Sequence, residues 1–141
     1  MQPQLSAQIN ARKGIIAVGV FLVFAACAAS YAAIALLWPG TILDRAWVLN
    51  PHAHIRLAPF GQIVGIPFLL LAAALAVAAV GWFRRRFWAW RLTVAIIAVQ
   101  LLGDSVNLFI GDPLGGSLGL LVASALLFYL FRPAIRSAFA G

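Results

Sequence analysis

Gln100, Asp104 and Asn107 follow one another at intervals of four and three residues, the spacing that brings side chains together along one side of an α-helix. A carboxyl group flanked by two amides can coordinate a small cation, or hold a proton and release it. The surroundings make the set unusual, because positions 90–110 otherwise hold only Arg91, Thr93 and Ser105 as polar residues. A charged side chain at membrane depth costs roughly 2.5–3.5 kcal/mol on insertion scales. If this segment crosses a bilayer, Asp104 must face other protein and find a mate there. Two readings follow. In one, Asp104 is an ion or proton site with Gln100 and Asn107 lining the path. In the other it is a lock, paired with Arg45, Arg56 or a loop histidine, or hydrogen-bonded to Asn107 or Gln62. The two loop arginines give the second reading its weight.

Little else in the chain offers chemistry. His52 and His54 are the only histidines; two ligands fall short of the three or four that zinc sites use, so they read as solvated loop residues and no metal is expected. Neither lies in an apolar segment, which argues against a haem held by two histidines between helices. The acids are Asp44, Asp104 and Asp112, with no Glu. Ser30, Ser105, Ser117 and Ser124 are scattered, and serines in such helices usually bond to a carbonyl one turn earlier. No phosphate-cradling Gly-x-x-x-x-Gly-Lys loop is present, and no cofactor is implied. A lipid-acting enzyme using Asp104, Asp112 and the histidine loop is the least well supplied of the readings.

The elements that must position Asp104 follow from composition. The 141 residues are 65% hydrophobic and 9% charged, against roughly 45–50% and 25% in soluble domains. There is too little polar surface to cover a globule in water. Four stretches reach the roughly 20 apolar residues that a 30 Å hydrocarbon core requires: 14–37, 62–83, 90–110 and 114–131. The links near 84–89 and 111–113 are too short for a crossover, so the last three spans alternate in direction. Between the first two lies an outer loop, 41–60, in which Thr41 to Leu49 read as a short interfacial helix stopped at Asn50-Pro51. The fold class expected is all-α: an integral membrane antiparallel four-helix transmembrane bundle with a short outer interfacial helix.

The net charge of +7 is distributed along the threading. Arg12, Lys13, Arg84, Arg85, Arg86, Arg91, Arg132 and Arg136 flank one side of the spans, and Arg45 and Arg56 the other. By the positive-inside rule both termini are cytoplasmic. Nucleic acid is not expected, since such a partner needs basic residues gathered on one solvated face. Arg84, Arg85 and Arg86 also suit anionic lipid headgroups. Abundant Ala and Arg with a single Lys point to a GC-rich prokaryote and its cytoplasmic membrane. Cys27, inside the first span, reads as a small buried hydrophobe.

Small residues recur at intervals of four: Gly61 and Gly65 open the second span, and Gly111, Gly115 and Gly119, followed by Ala123, open the fourth. In lipid this spacing lets helix backbones approach closely. It serves packing within one chain or a seam between chains. With many packing devices and few reactive groups, the leading expectation is a non-catalytic membrane subunit or homo-oligomer associating through these faces, with membrane lipids and other membrane subunits as partners. A channel or transporter for a small ion or solute, using Asp104 with Gln100 and Asn107, is the alternative.

Overall fold

The computed structural model describes residues 1–42, 55, 58–110 and 113–141. Those residues are helical, with no strand among them. In order they form α1 (Gln2–Leu37), a 3-10 turn (Ala58–Phe60), α2 (Gly61–Phe83), α3 (Phe87–Ile110), α4 (Pro113–Leu130) and the short α5 (Pro133–Ser137). The first four α-helices are long and apolar enough to cross a membrane, which makes this a multi-pass membrane protein. The interfacial helix expected within 41–60 falls almost wholly outside the described residues, as do Arg45, His52, His54, Arg56 and Gly111.

Helix α1 begins well before the apolar stretch. Its 36 residues span about 54 Å. Pro3 sits in the first turn, where a missing N–H costs nothing, and no later Pro or Gly interrupts the polar lead of Gln2 to Lys13. Helix α2 continues through Pro67, which deprives only the Ile63 carbonyl of its helical donor.

The chain divides into two compact units. One comprises Val20–Val77, where the last turn of α1 meets the first turns of α2. An added Cβ at Gly61 would lie 3.0 Å from the Leu36 carbonyl oxygen, and one at Gly65 would lie 2.8 Å from Leu37 Cγ, so both glycines are used in packing within the chain. Leu22, Ala29, Ala33 and Leu36 form the buried stripe of α1 here, with Ala72 and Leu75 buried on α2. Cys27 is exposed, contrary to its sequence reading as a buried hydrophobe. At about 100° per residue it lies well around the helix from Leu22 and Ala29.

The other unit comprises Met1–Gly19 and Ala78–Gly141. Its buried centre is Trp82, whose indole N–H donates to the Ile15 carbonyl at 2.7 Å. Gly19 makes that reach possible, since a Cβ there would lie 3.1 Å from Trp82 Cδ1 and 2.6 Å from Phe83 Cζ. Trp90 donates to the Leu130 carbonyl at 3.1 Å. Phe139, beyond α5, rests on Trp82 with ring centroids 4.5 Å apart. Trp82 and Trp90 are thus buried in protein, whereas Trp38 and Trp88 are exposed as interface tryptophans are.

The turn from α2 to α3 is closed by two bonds: Arg86 N–H donates to the Gly81 carbonyl at 3.0 Å and Arg85 N–H to the Trp82 carbonyl at 2.9 Å. This is the Schellman pattern, which needs a left-handed residue just past the helix. Arg85 takes that place at φ 52°, where glycine is usual.

Candidate functional site: an intramembrane carboxyl group

The site lies in the hairpin of α3 and α4. Helix α3 buries Ala89, Trp90, Thr93, Ile97 and Asp104, a single stripe at helical spacing. Helix α4 answers with Gly116, Ala123 and Leu130. The pairing is antiparallel, since Trp90 meets Leu130 at one end while Asp104 and Leu108 meet Gly119 and Gly116 at the other.

The backbones are close at that second end. A Cβ on Gly116 would lie 2.6 Å from Leu108 N and 2.9 Å from the Asp104 carbonyl oxygen. A Cβ on Gly119 would lie 2.5 Å from Asp104 Cγ and 2.8 Å from Oδ1. The carboxyl group of Asp104 therefore occupies the space that a side chain on residue 119 would fill. Asp104 is 7% exposed and lies about 9 Å along α3 from its end at Ile110.

Its two oxygens are treated differently. Oδ1 accepts a hydrogen bond from Gln100 Nε2 at 3.0 Å. Oδ2 is buried and has no hydrogen-bond partner among the described residues. A buried polar atom without a partner costs about 1–3 kcal/mol in proteins.

The predicted neighbours are placed as follows. Gln100 touches Asp104 and is itself exposed. Asn107 is exposed at the same rim of the stripe and makes no hydrogen bond to Asp104. Gln62 is exposed in the first turn of α2, in the other unit. Gly119 packs on Asp104, but its neighbour in the packing is Gly116, which the four-residue count passes over; Gly115 is exposed. The signal for Gly116 was the stripe at 116, 119, 123 and 130, which follows helical spacing of three, four and seven.

No competing chemistry stands out among the described residues. Ser30, Ser105 and Ser117 each donate to the carbonyl four residues earlier, at 2.8, 2.7 and 2.5 Å. No group of three His, Cys, Asp or Glu among the described residues is placed to hold a metal ion. Comparison with known proteins gives no match to a protein-family model, a curated protein or a solved structure.

Proposed function

We propose that this chain is an oligomeric component of a prokaryotic cytoplasmic membrane, an antiparallel four-helix bundle with cytoplasmic termini, that takes up a proton or small cation at Asp104 during transport. The observation that carries this reading is the buried Oδ2 of Asp104, without a partner beside a carboxyl oxygen that has one. Gln100 and Asn107 form a polar rim along one edge of that site. Gln100 lies near the middle of α3 and is nonetheless exposed, and an amide facing hydrocarbon is unfavourable. A water-filled path or a neighbouring subunit at this rim removes that cost, and four helices alone rarely enclose a hydrated pore.

The plain subunit reading, without transport, keeps the same geometry: a donor from a partner chain reaches Oδ2 and locks the assembly. The glycine faces give it less support, since Gly61, Gly65, Gly116 and Gly119 all pack within the chain. A lipid-acting enzyme would use Asp104 together with Asp112, His52 and His54, and the last three lie outside the described residues.

Proton and monovalent-cation flux into liposomes, measured for the parent and Asp104→Asn, tests the proposal. Flux in the parent that falls at least about tenfold in the variant supports it. Equal flux in both removes Asp104 from the mechanism. No flux in the parent, with Asp104→Asn dissociating the oligomer in mild detergent, selects the structural subunit instead.

A further inference from the structure

Six arginines gather at one end of a single compact unit. Arg84, Arg85 and Arg86 form the turn between α2 and α3, Arg91 stands in the first turns of α3, Arg132 follows α4, and Arg136 is on α5; all are exposed. The one described acid, Asp104, lies 13 positions beyond Arg91, roughly 20 Å along α3. No acidic side chain among the described residues therefore neutralises this end.

Three of the six lie over aromatic rings: Arg132 over Phe128 and Tyr129, each at 5.9 Å, and the other two over a pair of rings that stack on each other. Phe87 and Trp90 stack with centroids 5.6 Å apart and planes 16° apart. Arg91 places its guanidinium carbon 5.7 Å over Phe87, and Arg136 places its own 5.9 Å over Trp90. The floor itself is fixed. The Trp90 indole donates to the Leu130 carbonyl, and Phe131 meets its ring edge-on at 5.8 Å. Helix α5 is pinned by Ile135 and Phe139, both 1% exposed, which keeps Arg136 above its ring. A guanidinium is planar and always charged and presents its N–H groups at its edges, the geometry that grips phosphate oxygens in pairs.

From this geometry we infer that Arg91 and Arg136 on the Phe87–Trp90 floor form a headgroup site for an anionic glycerophospholipid, bound through its phosphodiester. The floor sits at the ends of membrane-spanning helices, the level of the headgroups, and Phe83, Trp88 and Phe131 are exposed nearby to receive the acyl chains. Free phosphate has nothing to place against those apolar side chains. A hydrogen bond between charged groups is worth about tenfold or more, so removing both arginines weakens the lipid by at least about tenfold. The site is independent of Asp104, and Asp104→Asn leaves it intact.

The test is native mass spectrometry of the full chain released from detergent, with phosphatidylglycerol and phosphatidylcholine offered in equal amounts. Phosphatidylcholine carries the same phosphodiester beside a choline cation that the arginines at this end repel, so phosphatidylglycerol retained at least about tenfold over it is the expected result for the parent. The pair Arg91→Gln with Arg136→Gln loses that preference, while Arg84→Gln with Arg86→Gln, which removes equal charge from the same end, keeps most of it. Arg91→Lys with Arg136→Lys preserves charge and folding but not the planar fork, and binds more weakly than the parent. Equal losses in the two Gln pairs overturn the site in favour of diffuse charge. Retention of phosphatidylcholine equal to phosphatidylglycerol, or displacement of the lipid by inorganic phosphate, overturns the lipid assignment.

Discussion

The Asp104 carboxyl group lies against the bare Cα of Gly119, in the space that a Cβ would take. One glycine thus makes room for a buried acid, and a second, Gly116, brings the two backbones together one turn away. Gly116→Ala drives its methyl into main-chain atoms of Leu108 that cannot rotate aside. It should destabilise the α3–α4 hairpin by about 1–3 kcal/mol, read by thermal or denaturant unfolding in detergent. Gly103, also on α3, has nothing within 4 Å of an added Cβ. Gly103→Ala should be neutral or stabilise by up to about 1 kcal/mol.

Among the described residues, Gln100 supplies the one hydrogen bond to the Asp104 side chain. Gln100→Leu leaves both carboxyl oxygens without a protein donor among the described residues, a loss of about 1–3 kcal/mol in folding stability. In the double variant with Asp104→Leu that cost should largely disappear, because no polar atom is then left buried. A double-mutant cycle on unfolding free energy measures the difference, and additive effects would show that the two side chains do not couple.

The ring of Trp82 matters more than its N–H. The Ile15 carbonyl keeps its own helical donor, so Trp82→Phe forfeits one hydrogen bond, about 1 kcal/mol. Trp82→Ala empties a fully buried site and should cost about 3–5 kcal/mol. Unfolding monitored by far-ultraviolet circular dichroism separates the two.

Arg85 is the place where a substitution should improve the protein. Its φ of 52° is a conformation that costs an L-residue about 1–2 kcal/mol and glycine almost nothing. Arg85→Gly should raise stability by about 1 kcal/mol, whereas Arg86→Gly, just past the left-handed position, should not. A matched pair of melting curves decides it.

Phe139 fastens the C-terminal tail to Trp82. Phe139→Ala should cost about 3 kcal/mol if the tail unfolds with the rest of its unit, and should release α5 for proteolysis near Arg136. Limited trypsin digestion in detergent micelles, comparing variant with parent, reports the change.

The four long helices were legible because hydrocarbon leaves a coarse imprint: about 20 apolar residues, a basic or proline-containing boundary, and little else. Asp104 facing another helix was legible for the same reason, since an acid cannot face lipid cheaply. Its near neighbours were harder. At 100° per residue Gln100 and Asn107 both fall to one side of Asp104, by about 40° and 60°, so the spacing that aligned them on paper sets them at the rim of the stripe. The burial of Trp82 and Trp90 was hidden because tryptophan suits both an interface and a core, and only the tertiary position of the Ile15 and Leu130 carbonyls decides between them. Likewise nothing local marks Arg85 as left-handed, since the turn demands it and glycine would have been the ordinary choice. Gly116 lay hidden beside Gly115, because a one-residue step around a helix changes which glycine meets the neighbour.

Helix α1 carries on without a break from its polar opening into its oily part, and Gly14 is already level with Tyr129. About a dozen residues, some 18 Å of stiff rod, therefore stand clear of the packed unit, with Leu5 and Ile9 outermost on one side. A stiff rod has no slack. The direction in which the buried portion runs therefore fixes where those two exposed side chains stand.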